Sequence, residues 1–130
     1  MAIDVAKVAA VTLKGKGHDA SVKRLDSLAS KEGIAVRALP YTTTQRHYDG
    51  TKEISYLFQV IVKRRSEAKS LEEISDIADI LDQTFLTSEN GSYEGGYCEV
   101  YTDPSELELN ESGFYVQEVR FRVQITTRKE

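Results

Sequence analysis

The sequence has little of what stabilises small secreted or membrane-embedded proteins. Its 130 residues contain one cysteine, two prolines and no tryptophan. The single cysteine, Cys98, excludes an intrachain disulfide framework and is typical of a reducing compartment. No apolar run approaches the roughly 20 residues of a transmembrane helix, and the N-terminus lacks the apolar core and cleavage site of a signal peptide. We therefore expect a soluble chain that is cytoplasmic at synthesis and has no membrane partner.

Basic residues are also in deficit. Lysine and arginine number 17 against 21 for aspartate and glutamate, so the formal net charge is −4. This balance argues against a general nucleic-acid binder, whose affinity depends on neutralising phosphates. The charged fraction of 29% and the hydrophobic fraction of 40% are typical of a globular chain. We expect one domain over 1–130, with a helical N-terminal segment at 1–33 and a sheet-plus-helix core at 34–130.

The clearest pattern in the sequence is an amphipathic helix from Ser70 to Phe85. Ser70 and Glu73 have the spacing of a capping box, which predicts that the helix begins at Ser70. At about 100° per residue, one stripe of this helix is apolar and is typical of packing on a core. The stripe consists of Leu71, Ile74, Ile77, Ala78, Leu81 and Phe85.

The opposite face of this helix is acidic and contains one apolar residue. Ile80 lies on that face, on the side away from the apolar stripe. Packing on a core does not account for Ile80, so the face is a candidate contact surface. Its acidic residues, with no lysine or arginine among them, are Glu72, Glu73, Asp76, Asp79 and Asp82.

The remaining elements follow from periodicity and turn residues. Helical spacing predicts a first helix at 2–13 and a second from Asp19 to Gly33. Alternating apolar residues predict strands at 34–39, 54–62, 97–101 and 114–127, the third of them ended by Asp103-Pro104 and the last with a bulge near Gln117 or Glu118. Tyr41–Lys52 is polar and reads as a loop with a turn at Asp49-Gly50.

The order α, α, β, β, α, β, β predicts an α+β fold. We expect an antiparallel or mixed sheet of about four strands, with one long helix and the N-terminal helices packed on it.

Residues that carry chemistry are sparse. His18 and His47 lie in separate polar segments with no ligand-spaced partner, and Cys98 sits in a predicted strand as an inert thiol. Asp76, Asp79 and Asp82 have a spacing that could hold a divalent cation, but an exposed acidic helix face is the favoured interpretation. We therefore predict no catalytic residue, no metal site and no cofactor, and a protein that is not an enzyme.

Basic residues occur in two groups. One group is Lys63, Arg64 and Arg65 at the end of a strand, and the other is Arg120 and Arg122 on one face of the last strand. A solvated surface is the simpler interpretation. The alternative is that these bases contact the acidic helix face of a neighbouring copy, with Ile80 as the apolar anchor. Such a heterologous contact closes into a ring when it is repeated with rotation.

One family resemblance rests on these elements. The segment R-H-Y-D-G-T-K-E-I-S-Y-L-F-Q-V-I-V-K-R (Arg46–Arg64) resembles the tail terminator and minor capsid proteins of long-tailed bacteriophages, in which an aromatic–Asp/Asn–Gly turn leads into a strand. The helix opening S-L-E-E-I and the strand V-R-F-R-V-Q-I-T (Val119–Thr126) match the long helix and closing strand of that family. The resemblance covers Ile34 to the C-terminus. The N-terminal pair of helices departs from the single leading helix expected.

The resemblance implies a structural virion protein. Its subunits would form a ring, commonly a hexamer, at the head-proximal end of the tail, after assembly in the host cytoplasm. The ring would stop polymerisation of the tail tube protein and dock the head-completion or connector protein, while DNA passes through the lumen without specific contact. Docking loops are expected at Asn90–Gly96 and at Tyr41–Lys52, the latter through Arg46, His47, Tyr48 and Asp49. Acids that face the lumen are expected at Glu106, Glu108 and Glu111.

Two other functions remain open at this point. A small ligand- or peptide-binding regulatory module without catalysis would be a stable monomer or dimer with a concave apolar pocket. An RNA-binding sheet would need exposed aromatic residues on neighbouring strands, for which Tyr97, Tyr101 and Phe121 are the candidates.

Overall fold

The strand-forming run I-S-Y-L-F-Q-V-I-V lies in the central strand of a mixed sheet, which has six strands and carries two helices in the part of the chain that the structure describes. The computed structural model describes residues 3–22, 31–107 and 113–127. In these ranges the helices are α1 (Val5–Gly15) and α2 (Glu67–Leu81). The strands are β1 (Ala20–Val22), β2 (Gly33–Ala38), β3 (Thr42–Arg46), β4 (Lys52–Arg64), β5 (Tyr93–Glu106) and β6 (Tyr115–Thr127).

The strand order in the sheet is β1-β2-β4-β6-β5, and β3 also pairs with β4. Only β1 and β2 pair in parallel; the other described pairs are antiparallel. β2 pairs with residues 58–63 of β4 and β3 with residues 52–55, while β6 pairs along nearly all of the opposite side. β2 and β3 therefore lie end to end on one side of β4. Pro40, which has no N–H to donate, falls in the interruption between them.

One face of the sheet forms the main core under both helices. The side chains that alternate toward this face come from β4 and β6, and they are completely or almost completely buried. Phe58 and Phe121 are opposite each other in the register, and their rings stack with centroids 5.1 Å apart. The helices cover this face with buried side chains that include Ile77 and Leu81 of α2 and Leu13 of α1.

The other face buries a smaller apolar cluster at one end. Ala35, Ile61 and Val116 are buried there, with Leu107 half-buried against them. Val116 therefore belongs to the second face, which explains the change of apolar phase along β6. The predicted bulge near Gln117 or Glu118 is wrong on the β4 side, since the β4–β6 register runs without a shift. The register shifts lie instead between β5 and β6.

The α+β class is confirmed, but the prediction missed the strands β1 and β3 and made β5 too short. Thr42–Arg46 was predicted as part of a polar loop and forms β3, because threonine favours extended backbone even where little is buried. Ala20–Val22 forms β1 where a second helix was predicted; residues 23–30 of that prediction lie outside the described residues. β5 continues through Asp103-Pro104 to Glu106, where it is exposed at the sheet edge, a position that tolerates proline.

Helix α2 begins earlier and ends earlier than predicted. Ser66 caps it by accepting the Lys69 N–H at 3.4 Å, whereas Ser70 is buried inside the helix and donates to the Glu67 carbonyl at 2.8 Å. The predicted capping box of Ser70 and Glu73 is therefore wrong. No helix in the described part of the chain has the length and apolar character needed to cross a membrane.

The end of α2 is set by pairing with β5. Gln83 adopts a left-handed conformation (φ 65°), and the chain after it bonds to the edge of β5. The N–H of Gln83 donates to Cys98 O, that of Cys98 to Thr84 O and that of Leu86 to Gly96 O. Phe85 consequently leaves the predicted stripe and is exposed, as is Leu71.

The revised stripe of α2 predicts which substitutions destabilise the protein. Ile77→Ala should lower the free energy of unfolding by about 2–5 kcal/mol, because it leaves a cavity in the main core. Leu71→Ala, the matched control on the same helix, should change it by less than about 0.5 kcal/mol because Leu71 is exposed. Urea denaturation of the two variants measures the difference. Equal losses would contradict this orientation of the helix.

Candidate functional site

His18 lies between two carboxylates of α2. Its Nδ1 is 3.0 Å from Glu73 Oε2 and its Nε2 is 2.6 Å from Asp76 Oδ2. Glu73 and Asp76 are three residues apart, so they project from the same side of the helix. The glycine turn after α1 (Gly17, φ 92°) brings the imidazole there, and the His18 N–H donates to Leu13 O at 3.0 Å. His18 therefore joins the end of α1 to α2.

Arg64 extends this contact to the sheet. Its Nε donates to Glu73 Oε1 at 2.6 Å, so one carboxylate bridges Arg64 and His18. Burial by itself lowers the pKa of His18, but hydrogen bonds and charges of Glu73 and Asp76 outweigh it and raise the pKa above 6.5. Burial likewise raises the pKa of Glu73, but Arg64 and His18 outweigh it and hold that pKa below 4.5. Both shifts favour the charged forms of the two side chains, so the cluster is ionic at mildly acidic pH.

A shallow groove of ≈ 820 Å³ runs beside this ionic cluster. Every residue that lines it is polar or charged, and the set is His18, Glu32, Arg64, Lys69, Glu72, Glu73, Ser75, Asp76 and Asp79. The groove therefore lacks the apolar walls that a small-ligand pocket needs. In the described ranges no group of three or more metal-ligating side chains is placed to hold an ion.

The predicted acidic face of α2 is only partly available to a partner. Glu73 and Asp76 are engaged with His18, and Asp82 accepts the Val100 N–H at 3.2 Å. Glu72 and Asp79 remain exposed. The expected outward position of Ile80 is wrong: its side chain is half-buried against the main core, as is Val100 of β5. The outer face of α2 therefore presents Glu72 and Asp79 to a partner, together with only part of Ile80.

The first basic group surrounds an aromatic ring. Lys63 is buried, and its ammonium lies 4.4 Å from the centroid of the Phe114 ring. The Arg65 guanidinium lies 4.5 Å from the same centroid, and the Arg65 N–H donates to Glu32 at 2.9 Å. Both bases therefore already have a cation–π partner, the Phe114 ring, within their own chain. Lys63 is therefore not a surface residue, contrary to the prediction that this group lies at an exposed strand end.

The second basic group is paired across the sheet face opposite the helices. Arg120 Nε donates to Glu118 Oε1 at 3.0 Å, and Arg122 forms an ion pair with Glu99. Gln59, buried on β4, donates to the same Glu118 oxygen at 3.0 Å. These bases keep half-exposed side chains, but folding already supplies each with a carboxylate.

The predicted docking loop is the turn of a β3–β4 hairpin. The His47 N–H donates to Thr51 O at 2.9 Å, and the Gly50 N–H to His47 O at 3.1 Å. The Asp49 carboxylate accepts from both the N–H and the hydroxyl of Thr51, at 3.0 and 2.7 Å. Tyr48, at the tip, is exposed to 113% of its reference area. The hairpin therefore displays one aromatic side chain on an internally bonded turn.

The second predicted docking segment is anchored by Asp4, a residue that sequence reasoning missed. The buried Asp4 carboxylate accepts from Ser88 Oγ at 2.8 Å, the Glu89 N–H at 2.9 Å, the Asn90 N–H at 3.2 Å and Ser92 Oγ at 3.2 Å. Burial raises the pKa of Asp4, but these hydrogen bonds outweigh it and lower the pKa. No local pattern relates Asp4 to residues more than eighty positions away.

Two smaller predictions are settled by burial. Cys98 is completely buried and free of disulfide bonds, and burial raises the pKa of its thiol, which agrees with an inert role. Phe121 is buried in the main core, whereas Tyr97 and Tyr101 are exposed. The aromatic set that an RNA-binding sheet would need is therefore incomplete.

The pKa shifts predict a pH-dependent contribution from His18. Its raised pKa means that its stabilising effect is complete below pH 6.5 and is lost as the pH rises through the folded value. Glu73 remains ionised down to below pH 4.5. His18→Gln should therefore lower the free energy of unfolding by about 1 kcal/mol at pH 5.5 and by much less at pH 9.

Urea denaturation at the two pH values measures this difference. Glu72→Gln, which neutralises an exposed acid of the same helix, is the control and should show little change between them. A His18→Gln effect that grows with pH would contradict the ionic cluster.

Comparison with known proteins identifies the family. Residues 10–127 match the family described as "Bacteriophage tail terminator protein". No curated protein matches the chain. Among solved structures, the fold is similar to a chain in "Virion of native gene transfer agent (GTA) particle", with a TM-score of 0.54 and 12% identity over 92% of this chain and 84% of that chain. The chain therefore belongs to the bacteriophage tail terminator family and is a structural protein of the phage virion.

Proposed function

We propose that this protein, acting as a single domain, forms a ring on the head-proximal end of the tail tube. The ring stops polymerisation of the tube protein and joins the tube to the head-completion or connector protein. The observation that carries the proposal is the family match over residues 10–127. The described residues are consistent with it, since they offer displayed surfaces and a polar groove instead of an apolar ligand pocket.

The ring needs a contact between different surfaces of neighbouring copies. Glu72 and Asp79 of α2 are exposed and are available to a neighbour. Arg120 and Arg122 keep accessible side chains, which are 43% and 44% exposed. On pairing with a neighbour, each arginine would exchange its carboxylate partner within the chain for one on the next copy. Such an exchange adds little affinity, so this contact mainly sets how neighbouring copies align in the ring.

The remaining surfaces are assigned to the axial partners and the lumen. The loop at 88–92, held by Asp4, is preorganised for contact with the tube or connector. Glu106 is exposed at the end of β5 and is a candidate to face the lumen, where acids would repel passing DNA. Glu108 and Glu111, predicted for the same role, lie outside the described residues.

Capping of tubes tests the proposed function. The tube protein of the same phage should polymerise into tubes of broad length distribution when alone. With this protein added, the tubes should stop growing and should carry a ring at one end, because the ring covers the growing surface. Negative-stain electron microscopy measures both length and end density. An unrelated acidic protein of similar size is the control, and unchanged growth with bare ends would contradict the proposal.

The acidic face of α2 yields a second test. Glu72→Lys combined with Asp79→Lys should reduce the assembled mass measured by light scattering, because it places like charges against the neighbour's arginines. Glu89→Lys reverses one exposed acid in the 88–92 loop and is the control. The effect should shrink as salt is raised above about 0.15 M, since exposed charges are then screened. An unchanged mass at low salt would exclude this face from the ring contact.

A further inference from the structure

Tyr48 is an aromatic side chain displayed for contact. It makes so little contact with its own chain that its exposure reaches 113% of the reference. The turn beneath it is held by the hydrogen bonds of Asp49 and His47 described above, so its backbone is already ordered. A tyrosine on an ordered turn provides a large contact area at a low conformational cost. These are the properties of an interface anchor.

The opposite edge of the sheet carries an exposed aromatic cluster. Phe85, Tyr97 and Tyr101, here called the aromatic edge, are 49%, 65% and 55% exposed. The rings of Phe85 and Tyr97 meet edge to face with centroids 5.1 Å apart. Tyr101 lies 5.6 Å from the Arg122 guanidinium, on the face opposite the helices. Three large exposed rings along one strand edge form a patch that a partner would cover.

The two features have opposite charge. The hairpin segment R-H-Y-D-G-T-K (Arg46–Lys52) carries two bases and one acid. β5, which bears most of the aromatic edge, has no lysine or arginine. Its Glu99 is paired with Arg122, and its other acids are Glu94, Asp103 and Glu106, so the strand keeps a negative balance. A contact between the hairpin and β5 therefore brings complementary charges together. Contacts of hairpin with hairpin, or of β5 with β5, would bring like charges together and are disfavoured.

The sheet topology places the two features on opposite sides. β3 and its hairpin lie on one side of β4, whereas β5 lies beyond β6 on the other. We propose that the β3–β4 hairpin of one copy docks on the aromatic edge of the next copy, with Tyr48 packed against Phe85 and Tyr97. Each copy then offers one hairpin and one aromatic edge, which makes the contact heterologous and able to close into a ring.

We assign a second copy of this chain as the partner of the aromatic edge. The chain itself carries both the complementary charge, on its hairpin, and the aromatic anchor, Tyr48. The contact uses none of the acids of α2, so it is independent of the helix-face contact. It rests on the proposed function, since a ring requires a heterologous contact, and it identifies the partner of the hairpin. The tube or connector as the hairpin's partner is the alternative outcome of the test.

Cysteine crosslinking tests the contact directly. Tyr48→Cys and Tyr97→Cys in one chain, treated with a short bismaleimide, should give a ladder of covalent oligomers that ends at the ring size. Because both substitutions weaken the contact, the reaction is run at a protein concentration well above the assembly midpoint of this variant, and the irreversible crosslink traps each contact that forms. Each single variant should stay monomeric, and an equimolar mixture of the two should give dimers only. The native Cys98 is completely buried and does not compete. Tyr48→Cys with Val22→Cys, an exposed residue on β1, is the matched control pair and should give no ladder.

A substitution that leaves the fold intact gives the energetic test. Tyr48→Ser should raise the protein concentration at which half of the chains are assembled by roughly 30-fold or more, as expected for loss of an interface anchor. Because Tyr48 is fully exposed, the far-ultraviolet circular dichroism and the urea midpoint of the variant should match those of the wild type at a protein concentration where both are monomeric. Tyr41→Ser, at a partly exposed tyrosine near the start of the same hairpin, is the comparison.

The outcomes separate this contact from the proposed function. A wild-type ring without a Tyr48–Tyr97 ladder, or a Tyr48→Cys single variant that forms dimers, overturns the contact and leaves the ring proposal standing. A Tyr48→Ser variant that keeps the ring but no longer caps tubes shows that the hairpin contacts the tube, and this also overturns the contact. A wild type that neither assembles nor caps tubes overturns both proposals.

Discussion

The antiparallel pairing of β4 with β6 is the constraint on which the rest of the structure depends. Its register runs without a shift from Glu53 opposite Thr126 to Arg64 opposite Tyr115. Because side chains alternate along both strands, this register decides which residues enter the main core and which lie on the opposite face. It also leaves one side of β4 for β2 and β3 and places β5 at the far edge. The hairpin and the aromatic edge are separated for that reason.

Folding already engages the five bases that were predicted for a contact between copies. Arg64, Arg120 and Arg122 each have a carboxylate within the chain, and Lys63 and Arg65 flank the Phe114 ring. A neighbouring copy can gain little from groups that are already paired, since such exchanges are nearly neutral in free energy. Aromatic side chains that folding leaves exposed have more to gain on assembly, because their apolar area is still in contact with water. The hairpin and the aromatic edge are therefore the stronger candidates for affinity.

Much of the fold was predictable because an element that buries one face has apolar residues at regular intervals in its sequence. β4, β6 and α2 each have a buried face, and the alternation or helical spacing of their apolar residues predicted them. β3 has only exposed or half-buried residues, so no apolar pattern marks it, and it forms because β4 offers a free side to pair with. The start of α2 was misplaced because Ser66 and Ser70 are both acceptable caps. Its end was misplaced because residues 83–86 pair with β5, and this competition is invisible in a local window.

By itself the sequence determined the α+β class, the central strand, the long helix and the resemblance to a tail terminator, because these depend on local periodicity and motif order. Only the tertiary structure decided the partners of His18 and Asp4, since their contacts join residues more than fifty positions apart. It also decided that Ile80 is half-buried while Tyr48 and Tyr97 are exposed. Exposure depends on what the rest of the chain covers, and the same apolar residue can serve the core or an interface. That choice is made by packing, which no single segment of the sequence contains.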